Sequence, residues 1–253
     1  MKMIFDTHAH YDDKAFDSDR DELLSKLFSE RVAYIVNQGT DLNLSKYSIA
    51  LAERYENMYC AVGIHPENIT ETSLEDIEKI KSLSSHSKVV AIGEIGLDYY
   101  WDIPKEPQKL IFEKQLVLAK ELDMPVTVHD REAHGDVFEL IRKYRPQGIM
   151  HCFSGSVEMA REIVKLGMYI GIGGVVTFRN ARKTIEVVSD IPLERIVLET
   201  DCPYLCPEPY RGKRNDSGMI QLIAEKVAEI KNISVEEVLK ATLHNGKEIY
   251  RIK

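Results

Sequence analysis

Met3-Ile4-Phe5-Asp6-Thr7-His8-Ala9-His10, two residues into the sequence, is a short apolar lead that runs directly into an acid and two histidines spaced two apart. In a β-strand, residues i and i+2 point to the same face. His8 and His10 would then converge at the end of a buried strand, which suits a metal ion. An isolated His-x-His more often caps a strand with ordinary hydrogen bonds, so the pair is decided by what accompanies it.

Moving outward, short β-rich runs alternate with helical periods. The runs are 3–5, 32–36, 59–62, 89–92, 126–128, 148–150, 169–172 and 195–198. None shows strict polar alternation, the pattern of parallel strands buried on both faces. Between them, Phe112, Leu116, Ala119 and Leu122 share a helical face. So do Val137, Leu140, Ile141 and Tyr144, and again Ile220, Ile223, Ala224, Val227 and Ile230. Thr72 with Glu75, and Ser234 with Glu237, fit capping boxes, the second flanked by Ile233 and Val238 as a hydrophobic staple. Eight such units in 253 residues match a (β/α)8 TIM barrel. A doubly wound sheet would more often place a Gly-rich turn after its first strand. No linker or low-complexity tract divides the chain, so residues 1–253 are expected to form one domain.

A net charge of −8 and a pI near 5.6 argue against broad adhesion to nucleic acid or anionic membrane, but not against a local phosphate site served by bound cations. No apolar run is long enough for a bilayer. The start reaches Asp6 too soon for a signal peptide, and four cysteines are too few for a disulfide framework. The expected location is cytoplasmic.

A barrel of this kind carries its active site at the C-terminal ends of its strands. His8 and His10 stand there after the first run, and His65 after the third. Glu94 follows the fourth, His129 the fifth, His151 the sixth and Asp201 the eighth. Five of the eight histidines thus meet on one rim with two acids. Imidazole and carboxylate together ligate zinc, manganese, iron or nickel. His8, His10, Glu94, His129, His151 and Asp201 are too many for one tetrahedral ion and enough for two. Glu94, between the histidine groups in barrel order, is the natural bridge. Two close metals stabilise the attacking and leaving oxygens of a displacement and lower the pKa of a water, so the implied chemistry is hydrolysis.

The segments "DTHAH", "GIHP", "IGEIGLDYY", "PVTVHDREAHGD", "HCFSGS" and "ETDCPYL" resemble, in order and spacing over nearly the whole chain, the motifs of TatD-type metal-dependent DNases within the amidohydrolase-like barrels. The resemblance implies two divalent ions (zinc, magnesium or manganese) and cleavage of DNA phosphodiesters, often as a 3′→5′ exonuclease acting on single strands or strand ends. It carries over the same six ligands, makes Glu94 and Asp201 the catalytic carboxylates, and gives Asp201 the proton of the attacking water. No membrane and no obligate protein partner are implied. Two stretches depart from the family pattern. Glu67 stands where many relatives have a second histidine, and its charge disfavours phosphate close by. Asn245-Gly246-Lys247-Glu248-Ile249-Tyr250 replaces the usual Asn-Ala-…-Arg-Leu-Phe.

Two other activities compete with this reading. One is C–N or ester hydrolysis on the same scaffold, since fold does not fix substrate; relatives of that kind often bridge their metals with a modified lysine, where this chain offers Glu94. The other is a metal-holding nucleic-acid-binding or editing partner with little turnover.

Beyond the ligands, His65 reads as a substrate group, although Gly-x-His-Pro also suits a turn. Arg211, Lys213 and Arg214 form the one compact basic cluster, placed to hold phosphates just after the last strand. Ser154 opens a helix start that can accept an anion, although N-capping alone also explains Ser154 and Ser156. Tyr99, Tyr100 and Trp101 either stack bases or close the barrel mouth. His86, His134 and His244 read as structural, Cys152 and Cys202 as packing residues. Cys202 and Cys206 lack the second pair a zinc site of that type needs.

Overall fold

The computed structural model describes residues 3–253. Its strands are β1 (Ile4–Ala9), β2 (Val32–Gln38), β3 (Met58–Val62), β4 (Val89–Asp98), β5 (Val126–Arg131), β6 (Gly148–Met150), β7 (Tyr169–Ile172) and β8 (Ile196–Leu198). They pair in parallel in the order β1 to β8. The sheet comes round on itself where Asp201 N donates to His8 O and His10 N to Cys202 O, both at 2.9 Å, so Ala9 and Cys202 form a parallel bridge. This is a (β/α)8 barrel, with every run read from the sequence appearing as a strand.

The helices are α1 (Arg20–Glu30), α2 (Leu42–Glu53), α3 (Leu74–Leu83), α4 (Lys105–Glu121), α5 (His134–Tyr144), α6 (Val157–Lys165), α7 (Arg182–Asp190), α8 (Ile220–Lys231) and α9 (Val235–Tyr250). Their apolar stripes bury against the outside of the barrel: Phe112, Leu116 and Ala119 from α4, Val137 and Ile141 from α5, Ile223, Ala224 and Val227 from α8. The box at Ser234 forms as expected, with Ser234 N donating to Glu237 Oε2 at 2.9 Å and Glu237 N to Ser234 Oγ at 3.2 Å. Ile233 and Val238 both pack on the core. The box expected at Thr72 and Glu75 lies one residue further on, at Ser73 and Asp76. Thr72 is unavailable because its hydroxyl donates back to Asn68 O at 2.9 Å, closing the preceding turn.

A second apolar cluster fills the barrel interior. Phe5, Val36, Ala61, Ala91, Ile149, Tyr169 and Val197 point inward, and Ile249, Tyr250 and Ile252 join them from below. The C-terminal end of α9 therefore plugs the barrel floor. Asn245 Nδ2 ties it on by donating to Leu193 O (2.8 Å) and Ile196 O (2.7 Å). Gly246 lies where a Cβ would stand 2.6 Å from the Phe5 ring. Tyr250 OH reaches up to donate to Thr7 O at 3.0 Å. The departure at residues 245–250 thus belongs to the floor, far in the fold from the strand ends that carry the histidines.

Candidate metal centre

Several strands run past their apolar parts, and this carries the site into the barrel mouth. β1 continues through Asp6, Thr7 and His8, all fully buried, and β4 continues to a fully buried Asp98. Glu94 sits in the middle of the mouth. Its Oε2 is 3.4 Å from His8 Nε2 and 3.6 Å from His10 Nε2. Its Oε1 is 3.1 Å from His129 Nδ1, 3.5 Å from His65 Nε2 and 3.7 Å from His151 Nε2. Asp201 Oδ1 closes the first group at 3.6 Å from His8 Nε2 and 3.4 Å from His10 Nε2, and stands 3.9 Å from His151 Nε2. All six residues expected as ligands are together, and one carboxylate presents one oxygen to each half.

The donor set fits cations. His8 Nε2 and His10 Nε2 are only 3.1 Å apart, and both face carboxylate oxygens rather than carbonyls or hydroxyls. Buried charges of this density need a partner of opposite sign. Glu94 shows the tension: burial pushes its carboxyl up, but electrostatic attraction to the surrounding imidazoles, His65 and His8 first, and the His129 hydrogen bond hold it well below the usual range. Burial lowers His8 to about 4. In His10 burial is overcome by the Asp201 hydrogen bond and the Glu94 charge, which raise it to about 9. In His129 it is overcome by Asp98 and Glu94, which raise it to about 10.

A second ring of carboxylates, which the sequence reading left without a role, stands behind these residues. Asp98 Oδ2 lies 2.9 Å from His129 Nε2, leaving Nδ1 for Glu94. Glu199 Oε1 is 3.1 Å from His151 Nδ1 and accepts from Cys152 N at 2.5 Å. Asp6 accepts from Thr200 Oγ1 (2.6 Å) and Ser217 Oγ (2.7 Å), which pins β1 to the end of β8. Burial pushes Asp6 up to about 7. Such outer carboxylates fix the tautomer and angle of ligating imidazoles.

His65 differs from its neighbours in one respect. Its Nδ1 accepts from Glu67 N at 3.2 Å, so the neutral ring carries its proton on Nε2, the atom that faces Glu94. It presents an N–H at Nε2 because its Nδ1 lone pair is taken by the backbone.

The remaining candidates are more scattered. Ser154 is exposed, while Ser156 caps α6 by accepting from Met159 N at 3.3 Å. Arg211 lies over the Phe178 ring at 4.3 Å, and Lys213 over Tyr210 at 5.4 Å. Arg214 is already engaged, with two bonds to Asp19 (2.7 and 2.6 Å) and one to Ala15 O (2.8 Å). His134 pairs with Asp130 at 2.8 Å and His86 with Glu53 at 3.1 Å. The four cysteines are free thiols. No helix among the described residues is long and apolar enough to cross a membrane.

The family described as TatD related DNase matches residues 5–251. The chain belongs to that family. It is 44% identical over 254 residues to the metal-dependent hydrolase YabD of Bacillus subtilis, covering 99% of this chain and all of that one. The crystal structure of the TatD homologue YjjV from Escherichia coli superposes with a TM-score of 0.93 at 32% identity, over 99% of each chain. A phosphotriesterase homology protein of E. coli, complexed with phosphate in its active site, shares the fold at 13% identity and a TM-score of 0.71, over 98% of this chain and 99% of that one. As a TatD-family protein the chain is a divalent-metal-dependent hydrolase. The histidine–carboxylate clusters at its barrel mouth are where metal can be held.

Proposed function

We propose that this chain hydrolyses the phosphodiester bonds of DNA, cutting 3′→5′ from single strands or strand ends, as one catalytic domain spanning residues 1–253. The observation that carries the reading is Glu94, whose two oxygens face two different histidine groups. His8, His10, Glu94 and Asp201 would hold one divalent ion, and Glu94, His129 and His151 a second. Zinc, magnesium or manganese suits such ligands. Two ions supply charge stabilisation to the attacking and leaving oxygens of the displacement and acidify the attacking water.

Each residue then has a task. Asp201, with a side chain 19% exposed against 4% for Glu94, is the carboxylate that incoming water meets and takes its proton. His65 donates from Nε2 to a phosphoryl oxygen, a contact open to it because Glu67 N occupies Nδ1. Arg211 and Lys213 hold phosphates further along the strand, with Ser154 as a neutral hydrogen-bonding group on the rim. Arg214 contributes by tying that loop to Asp19. The compartment proposed is the cytoplasm, where free thiols such as these four persist.

The test is incubation of metal-stripped protein with end-labelled single-stranded DNA and a panel of zinc, magnesium and manganese, products being resolved by length. A ladder shortening from the 3′ end is the expected result. Internal fragments would replace the exonuclease reading with an endonuclease one. Uncut DNA with every ion, alongside hydrolysis of amide or ester substrates, would replace the phosphodiesterase.

A further inference from the structure

We propose that Tyr100 and Trp101 form a base-stacking subsite for single-stranded nucleic acid beside the metal centre, set in place by Glu67 and Arg131. The proposal rests on the phosphodiesterase reading above and names the part of the substrate that its own residues grip.

The subsite is built into the connection between β4 and α4. The segment Tyr99–Lys105 lines a cleft of about 640 Å³. It is fastened to the centre through one carboxylate: Asp98 binds His129 Nε2 with Oδ2 and accepts from Tyr100 N with Oδ1, each at 2.9 Å. Gln108 Nε2 holds the far side by donating to Asp98 O (2.9 Å) and Ile103 O (3.2 Å). The backbone carrying the rings is therefore tied down at both ends.

On it the two rings stand in the open. Tyr100 is 51% exposed and Trp101 48%, although aromatic rings contribute most when buried. They meet edge to face, centroids 4.9 Å apart at 82°, and make a corner rather than a stacked plug. Trp101 Nε1 donates to Glu67 Oε1 at 2.8 Å. The Arg131 guanidinium lies 3.7 Å from the Tyr100 centroid and 5.8 Å from that of Trp101. The rings are thus oriented before any ligand arrives, which lowers the ordering cost of binding.

Flat faces and a cation at one corner match a nucleotide. The base stacks on a ring, and its phosphate passes the guanidinium. Glu67 fits this picture. Its carboxylate keeps its charge while it accepts the indole N–H, so it orients the ring and leaves the phosphate to the Arg131 side of the corner. Glu67 thus fixes the chain's single tryptophan.

That tryptophan is also the reporter. Hexathymidylate and an abasic chain of the same length, both with hydrolysis-resistant phosphorothioate linkages, are titrated into metal-loaded protein while Trp101 emission is followed. Hexathymidylate should quench the emission and bind about 10-fold more tightly than the abasic chain, the scale of one stacked base. Trp101→Ala should raise KM for single-stranded DNA by about the same factor with kcat unchanged, and Trp101→Phe, which keeps a stacking face but loses the bond to Glu67, should recover part of the loss. Equal binding of the two chains, or unchanged emission, overturns the subsite. Wild-type protein that cuts no DNA with any ion overturns the phosphodiesterase reading instead, and the fluorescence comparison still decides the stacking.

Discussion

The two ends of this barrel obey opposite rules. At the floor, the end of α9 and the residues just after it bring Ile249, Tyr250 and Ile252 against inward-facing Phe5, Val36 and Val197, and the helix's polar atoms are spent on backbone carbonyls. At the mouth, buried positions in or just after β1, β4 and β6 carry His8, His10, Glu94 and His151. There His8 Nδ1, His151 Nδ1 and Glu199 Oε2 lie buried without a hydrogen-bond partner among the described residues. Each unpaired buried group costs about 1–3 kcal/mol. A fold tolerates that at one end because the other supplies apolar packing, and the separation implies that rim substitutions change metal and turnover while floor substitutions change stability.

The largest effect is expected at Glu94. If its two oxygens serve two ions, Glu94→Ala loses metal from both halves and with it nearly all turnover, while the metal-free protein stays folded. His129→Ala should weaken mainly one half. Metal per chain by elemental analysis, with the melting curve of stripped protein, checks both. A full metal complement in Glu94→Ala would break the bridged arrangement. Wild-type uptake at pH 7 should also release protons. His10 and His129, raised to about 9 and about 10, are protonated there without metal and must give up those protons as ligands. The release should vanish as pH rises past about 10, and calorimetry in buffers of different ionisation enthalpy reads it.

Asp201 comes next. Asp201→Asn retains an oxygen ligand and the side-chain shape but cannot take a proton. Turnover should fall by about 10²-fold or more, the range for loss of a general base, with metal content largely kept. Near-normal turnover with metal bound would move the base elsewhere on the rim.

How much of this was legible follows the same division. The apolar runs marked every strand because parallel strands buried on both faces leave few other patterns. They also stopped short: the Met3-Ile4-Phe5 run ends before Asp6, while β1 continues to Ala9. A run of hydrophobic residues cannot register polar side chains buried against one another. The ligands were legible because five histidines and two acids fell at strand ends. Asp98 and Glu199 were not, because their partners are fixed by neighbouring strands rather than by adjacent residues. Arg214 read as a free cation for the same reason, its partner Asp19 lying 195 positions away.

The smallest effect tests the floor, and it needs two glycines. In α5, a Cβ on Gly135 would meet nothing within 4 Å, so Gly135→Ala should stabilise the metal-stripped protein by about 0.5–1 kcal/mol through reduced freedom of the unfolded chain. Gly246 is also helical, and Ala there gains a similar propensity term of about 1 kcal/mol. Its Cβ, however, would stand 2.6, 2.8 and 3.0 Å from three atoms of the Phe5 ring, and that ring is itself packed by Tyr34 and Tyr250 at centroid distances of 5.3 and 6.0 Å. Overpacking of this kind costs about 1–3 kcal/mol. Because the ring has little room to withdraw, the clash should win and leave Gly246→Ala about 1–2 kcal/mol less stable. Urea unfolding of the two stripped variants should therefore move in opposite directions from wild type, with metal per chain unchanged in both. If Gly246→Ala is as stabilising as Gly135→Ala, the C-terminal helix does not press on Phe5, and the floor is looser than its packing against the inner strands requires.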